Sequence, residues 1–365
     1  MTVINCYSVG VVNANIANVG GFIGYDSGTT VNSCYYDGVA SGFIPKKSND
    51  KSKLTTGMKQ KVTFSGWDFS TIWNLDEGTS YPYLRNVTKP SRVGEGLPLN
   101  DVAGGKGTLA DPYLISTKEQ MNNVKYDLTG SYKLINNIDL QNVEWTPIGT
   151  NIAPFIGTFD GDGFSISNLK ISKPTIDFIG LFGYTNNVTI KNLTINNVNI
   201  SGNNYVGALA GYAAGSTGVI QNCSVTGTGT VTGKSSVGGL AGCTVGNIDS
   251  CYSTINVTLS GTGNYAGGLV GQCGVSVTKS YATGNITSGG SNVGGLIGSA
   301  PIANGSITQC YASGNVSGTA NIGGLIGYGG ASSYSFANCF ALGNVTATSN
   351  QQAGGFIGWA GLAII

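Results

Sequence analysis

SITQCYASGNVSGTANIGGLIG, residues Ser306–Gly327, contains both elements of a repeat that runs through most of the chain. Its glycine-rich half, IGGLIG from Ile322, recurs as IGLFG from Ile179, VGALAG from Val206, VGGLAG from Val237, AGGLVG from Ala266, VGGLIG from Val293 and AGGFIG from Ala353, with VGGFIG from Val19 far upstream. Successive starts between Ile179 and Ala353 lie 27 to 31 residues apart. A fixed period of that size marks a solenoid, in which each repeat buries its apolar face against its neighbours. In the other half, Ile307, Cys310, Ala312 and Val316 supply inward side chains, while Thr308, Gln309 and Asn315 face outward or turn. No helical period appears. The expectation is an all-β parallel β-helix of about 29-residue rungs, three short strands to a coil and right-handed, with glycines at its tight corners.

The second element recurs as NCYSVG (Asn5), SCYYDG (Ser33), NCSVTG (Asn222), SCYSTI (Ser250), KSYATG (Lys279), QCYASG (Gln309) and NCFALG (Asn338). Cys6, Cys34, Cys223, Cys251, Cys310 and Cys339 therefore share one position of the repeat, where Ser280 replaces the thiol. Small, polarizable side chains buried in a stacked column account for that pattern, so a ladder of free thiols is expected. Disulfides between rungs are the competing reading, since stacked strands lie ~4.8 Å apart. In-register parallel neighbours are poorly oriented for that bond, and Cys243 and Cys273, off the column, form the pair best suited to one.

Composition narrows the function classes. Of 365 residues, 59 are glycine, 10% are charged and none is histidine, a balance that suits closely stacked β-structure with frequent turns. A net charge of +1 with no sustained basic run argues against a nucleic-acid partner. Glycine and polar residues interrupt every apolar run before the roughly 18 residues of a membrane span. Met1 is followed directly by repeat sequence, so no signal peptide is visible.

The glycine-leucine element with its Cys-Tyr partner resembles the GLUG repeat of large surface and secreted proteins of bacteria and some archaea, including regions beside IgA-protease-type domains. The resemblance covers most of the chain. GTLADPYLISTKEQMNNVK (Gly107–Lys125) and WTPIGTNIAPFIGTFDGDGFSISNL (Trp145–Leu169) resemble the opening of such modules, and TTGMKQKVTFSGWDFSTIWNLDEGTSYPYLR (residues 55–85) their closing segment. The resemblance implies a parallel β-helix displayed at the cell surface or outside the cell, with no catalytic residues.

Three segments follow. Residues 1–85 read as terminal rungs and a C-terminal cap, with Trp67, Phe69, Trp73, Tyr81, Tyr83 and Leu84 covering the apolar end. Residues 86–106 read as a linker carrying Pro90 and Pro98. Residues 107–365 read as a second β-helix, opened by a short capping helix with Ser116 as N-cap and running to about Val124. No second WDF or YPYLR segment follows it, so the second module is expected to lack a cap of its own. Its end, Phe356, Ile357, Trp359, Leu362, Ile364 and Ile365, and its start, Val3, Ile4, Cys6, Tyr7 and Val9, look like halves of one interrupted repeat. Head-to-tail completion by a second copy, giving a filament, is one expectation; a window from a longer array is the other.

Chemistry is sparse. β-Helical lyases and hydrolases need clustered carboxylates, yet from Phe164 onward the only acidic residues are Asp177 and Asp249, with no Glu or Arg. Asp160 and Asp162 in FDGDGF are a weak Ca²⁺ signal better read as a tight turn. No zinc, nucleotide or other cofactor motif appears. Ice binding needs an in-register Thr array, and TGTGTVT (Thr226–Thr232) is suggestive locally but does not recur in neighbouring periods. Sequons at Asn285, Asn315 and Asn344 mark outward turns in register, accessible to glycosylation where the host performs it. The function expected is an extracellular structural or adhesive repeat protein, self-assembling or bound to surface glycans or other cell-surface proteins. The alternatives are a passive stalk and a carbohydrate-binding or carbohydrate-active β-helix using Tyr205, Tyr212, Tyr265 and Tyr328.

Overall fold

The computed structural model describes residues 2–8, 22–23, 30–37, 52–53, 56–78, 80–85, 102–274, 276–301, 305–330, 335–349 and 351–361. They belong to two compact units, Met1–Val102 with Glu119–Leu128, and Ala103–Lys118 with Thr129–Ile365. Val9, Leu362, Ile364, Ile365 and most of 86–106 lie outside the described residues.

The larger unit is a parallel β-solenoid, and the fold counts about 10 turns of about 29 residues. Among the described residues its walls are sheets of 12, 9, 7 and 6 strands, and a typical turn contributes to all four. The rung quoted at the outset runs Ser306–Thr308, Tyr311–Ala312, Val316–Gly318, Ala320–Gly323 and Ile326–Gly329. Each of these strands pairs in parallel with the rung before it. Five strands thus replace the expected three, because the chain turns more often than polarity alone reveals.

Two of the corners are columns of left-handed residues. One precedes the cysteine position, at Asn222, Ser250, Lys279, Gln309 and Asn338 (φ 47° to 57°). The other precedes the glycine element, at Tyr205, Ser236, Tyr265, Asn292 and Asn321 (φ 52° to 73°). That conformation costs a non-glycine residue about 1–2 kcal/mol, and stacked hydrogen bonds such as Asn321 Nδ2 to Asn292 Oδ1, 2.7 Å, help to hold it. A third corner requires glycine for a different reason. A Cβ on Gly314 would lie 1.8 Å from the carbonyl oxygen of Gly284, and one on Gly343 1.8 Å from that of Gly314.

Inside, Ile220, Ile248, Val277 and Ile307 form one buried column, Val237, Ala266, Val293 and Ile322 a second, and Leu240, Leu269, Leu296 and Leu325 a third. Aromatic rings fill the first turns of this unit, with Phe155–Phe182 at 5.0 Å and Phe159–Phe182 at 5.4 Å between centroids. Helix α1, Lys118–Asn123, continues into a 3₁₀ turn over Val124–Tyr126; Thr117 rather than Ser116 directly precedes it, and Glu119–Leu128 group with the smaller unit rather than with the solenoid.

In the smaller unit, Thr2–Ile4 pairs in parallel with Thr30–Asn32, and Tyr7–Ser8 with Tyr35–Asp37. Met58, Phe64, Trp67, Leu75 and Tyr81 form its core, with Tyr7, Tyr35, Phe69 and Trp73 packed against it. Trp73–Asn74 and Tyr83–Leu84 make an antiparallel hairpin.

Candidate functional surfaces

The cysteine column is a chain of free thiols. Each thiol lies against two carbonyls, one two residues back and one on the preceding rung. Cys251 Sγ is 3.2 Å from Asp249 O and 3.5 Å from Ile220 O, and Cys310 Sγ is 3.2 Å from Thr308 O and 3.4 Å from Val277 O. Cys34 and Cys339 repeat the pattern, as does Cys223, while exposed Cys6 lies against Ile4 O and Cys34. The sulfur also accepts, since Cys223 N–H points at Cys251 Sγ, 3.4 Å away. Ser280 takes over both roles, donating to Thr278 O and accepting from Cys251 N–H. Burial pushes the Cys310 thiol up to about 12, and the same cause raises Cys251 well above the ordinary range. Neither Cys243 nor Cys273 is in a disulfide. Register sets Cys243 beside Gln272 and Cys273 beside Thr244, so alternation sends the two side chains to opposite faces of their sheet.

Outward aromatic residues stack along the axis. Tyr252, Tyr281, Tyr311 and Phe340 form one column with centroids 4.7, 4.7 and 4.9 Å apart and interplanar angles of 2° to 6°. Of the tyrosines singled out in the sequence, Tyr205 stacks on Phe178 at 5.2 Å, Tyr212 on Tyr184 at 5.0 Å and Tyr328 on Trp359 at 4.6 Å. Tyr265 is half-buried at a left-handed corner. Each stacked ring spends at least one face on a neighbour, so these residues do not form an open platform for sugar rings.

Two further outward ranks emerge only from register. Asn199 aligns with Thr230 and Thr230 with Asn256, while Ser201, Thr232, Thr258, Thr287, Ser317 and Thr346 form a hydroxyl rank two residues further along. The asparagine rank continues through Asn285, Asn315 and Asn344, all exposed. Within it Asn256, Asn285 and Asn315 each accept the backbone N–H of the next asparagine, at 2.9, 2.9 and 3.0 Å. The recurring N-x-S/T signal is therefore an amide ladder beside a hydroxyl ladder, with the intervening Val257, Ile286 and Val316 buried. That signal was present in the sequence, and varying repeat lengths hid its alignment.

The FDGDGF turn is occupied by ion pairs. Asp160 Oδ2 lies 3.2 Å from Lys191 Nζ and Asp162 Oδ2 3.0 Å from Lys133 Nζ, and Asp162 has φ 50°. Asp160 also accepts from Asn192 Nδ2 and from Asp162 N–H. The two carboxylates serve a turn and two lysines. Among the described residues no group of three or more His, Cys, Asp or Glu could hold a metal ion.

In the smaller unit the structure brings Trp67, Phe69, Trp73 and Tyr81 together, with Trp67–Trp73 at 4.4 Å and Trp67 Nε1 donating to Ser33 O at 2.7 Å. Tyr83 is partly buried, and Leu84 stays 46% exposed outside this cluster. Tyr7 stacks on Tyr81 at 6.2 Å and donates to Pro82 O, while Ile4 is exposed and Val3 half-buried. Among the described residues, Thr2–Ile4 and Tyr7–Ser8 pair on one edge only, and so do Val345–Ala347, Ala353–Gly354 and Ile357–Ala360, the last-described rung. Phe356 and Ile357 are half-buried there. Among the described residues no helix is long and apolar enough to cross a membrane.

Residues 113–227 match the model of the M26 IgA1-specific metallo-endopeptidase N-terminal region. Halomucin of Haloquadratum walsbyi is 38% identical over 41% of this chain and 2% of its own length. An immunoglobulin A1 protease of Streptococcus sanguinis is 32% identical over 53% of this chain and 11% of its own. The chain thus spans only a small part of these curated relatives. The crystal structure of a candidate immunoglobulin A1 protease from Bacteroides ovatus superposes with a TM-score of 0.57 at 24% identity, covering 72% of this chain and 86% of that one. That likeness is one of fold.

Proposed function

We propose that the chain is a non-catalytic β-helical module of the GLUG type, carried outside the cell, where it spaces and displays parts of a surface protein. The observation that carries this reading is how the repeat positions are used. Thiols, left-handed corners, glycines and apolar columns all serve contact between rungs, and no Glu or Arg occurs from Phe164 onward to build a catalytic cluster. Hydrogen bonds and buried columns along one axis suit mechanical spacing. The similarity to longer proteins such as halomucin supports a module within a larger whole. Labelling intact cells with a membrane-impermeant amine reagent should modify Lys106, whose side chain is 84% exposed. Modification only after lysis would sink the extracellular reading.

A finer reading is end-to-end assembly, favoured by the one-sided pairing of the outermost described strands. Trp359 is stacked on Tyr328, and no other ring is stacked on it among the described residues. Backbone pairing across such edges would be strand addition, and a heterologous contact of this kind propagates. Negative-stain microscopy over a concentration series should show filaments that disappear when residues 1–38 are deleted. Dispersed particles at every concentration would rule assembly out.

A further inference from the structure

We propose that the outward face formed by the tyrosine, asparagine and hydroxyl ranks binds a neutral polysaccharide, laid along the solenoid axis with one sugar residue per rung. This deepens the reading of the chain as an exported, non-catalytic module and rests on it. The three rungs that begin at Tyr252, Tyr281 and Tyr311 offer the same outward sequence, a phenol, a small residue, an amide and a hydroxyl, as in Tyr281, Thr283, Asn285 and Thr287. The next rung repeats it as Tyr311, Ser313, Asn315 and Ser317. The rung after these three keeps the amide and hydroxyl of Asn344 and Thr346 but has Phe340 and Leu342 in the first two places. Inward residues between them are buried, among them Ala282, Ile286, Ala312 and Val316.

Three properties of this face select the ligand. First, it repeats at the rung spacing of ~4.8 Å, close to the advance of one pyranose along an extended glycan, so a regular polymer meets equivalent groups on every rung. Second, none of these four ranks carries a charge between Tyr252 and Thr346. Lys279, the one charged residue in that span, stands at the corner before the tyrosine rank, and Asp249 lies just upstream of the equivalent corner at Ser250. A neutral face matches an uncharged polymer and offers nothing specific to an acidic polymer or an ionic mineral. Third, the polar groups are pre-positioned. Backbone N–H groups hold the Oδ1 atoms of Asn256, Asn285 and Asn315, leaving each Nδ2 without a protein hydrogen bond among the described residues. The hydroxyls of Thr258, Thr287 and Thr346 are likewise uncommitted. Groups already ordered by the fold lose little freedom on binding.

The tyrosine rank discriminates between two regular neutral partners, a polysaccharide and ice. Its rings cover one another face to face, so only their edges and hydroxyls point outward. Phenols are longer than threonines, and they raise a wall along one side of the amide and hydroxyl ranks. A ledge with a wall fits a chain lying against it better than a flat crystal plane. Because each hydrogen bond only replaces one to water, several rungs must be engaged together, and binding should grow with glycan length.

Affinity electrophoresis of the whole chain through gels containing hydroxyethylcellulose, glucomannan or laminarin tests this. Retardation by at least one polymer is expected, with no competition from its trisaccharide. The Thr258→Glu/Thr287→Glu variant should lose the apparent affinity at least tenfold at an unchanged melting temperature, while Asn247→Glu on another sheet should behave as the parent. Thr258→Val/Thr287→Val, which keeps β-branching and removes the hydroxyls, should lose part of it. No retardation in any gel, or equal retardation of parent and double-Glu variant, would overturn the proposal. So would ice-crystal shaping that the same substitutions abolish. None of these outcomes bears on the cell-labelling test of location.

Discussion

Cys251 shows why a thiol occupies a position that an apolar residue could fill by volume alone. Its sulfur accepts the N–H of Cys223 and lies against two carbonyls, so it satisfies a corner where the left-handed Ser250 has interrupted the ladder. Cys251→Ser, the exchange that Ser280 already represents, should therefore change stability by less than about 1 kcal/mol. Cys251→Val should cost about 1–3 kcal/mol by leaving the Cys223 N–H buried without a partner, and urea unfolding of the two variants would check the order. The same burial gives an alkaline signature. Cys310 titrates at about 12 in the fold against an ordinary 9.0. A group whose folded value is raised stabilises the fold below its unfolded value and loses that contribution as pH climbs. Unfolding midpoints should thus fall between pH 9 and 12, less so in Cys310→Ser. The Cys position was legible as a column in the sequence. Its hydrogen bonds were not, because they depend on a backbone bend that Ser, Lys and Gln do not advertise.

Glycine in the IGGLIG element has a cost that depends on its neighbouring rung rather than on its own conformation. A Cβ on Gly324 would lie 2.1 Å from Gly355 O and 3.0 Å from the Ala341 Cβ, whereas one on Gly355, the equivalent residue of the last-described rung, meets nothing within 4 Å. Gly324→Ala should therefore destabilise by about 1–3 kcal/mol through overpacking, while Gly355→Ala should stay within about 0.5 kcal/mol of the parent. Thermal melts of both would test this, and equal effects would show that the strain is local. Strand number was the element-level miss. The sequence suggests three strands per coil and the fold has five, because two corners are made by left-handed residues as unlike as Tyr265 and Asn321.

Across the solenoid unit, each rung contacts mainly its neighbours, so stability should be approximately a chain of rung-to-rung terms that weakens toward an open edge. The amides of Leu240, Leu269 and Leu296, each donating to the leucine carbonyl of the following rung, should exchange slowest with deuterium. Those of Phe340, Leu342 and Thr348 should exchange orders of magnitude sooner, and hydrogen exchange with mass readout would show the gradient. Uniform protection would mean the unit opens only as a whole. If copies join end to end, Gly355→Ala should leave the single molecule intact and still block assembly, because the added Cβ would meet the neighbouring copy's backbone as one on Gly324 meets Gly355 O.

The period of the glycine element, the alternation within IGGLIG and QCYASGNV, and the shared cysteine position were enough to specify a parallel β-solenoid and the identity of its inward columns. Burial selects apolar and small side chains at a fixed spacing, and that selection is written directly into the residues. Alignment of the outward face is a different matter. Asn199, Thr230 and Asn256 stand in one rank although 31 and then 26 residues separate them. The register slips between Asn196 and Val198 at the Gly227–Gly229 insertion, and this local bulge absorbs the unequal loop lengths. Hydrogen bonds between rungs set that register, and they exist only once the turns have stacked, so the ranks of amides, hydroxyls and stacked rings became visible in the folded molecule alone.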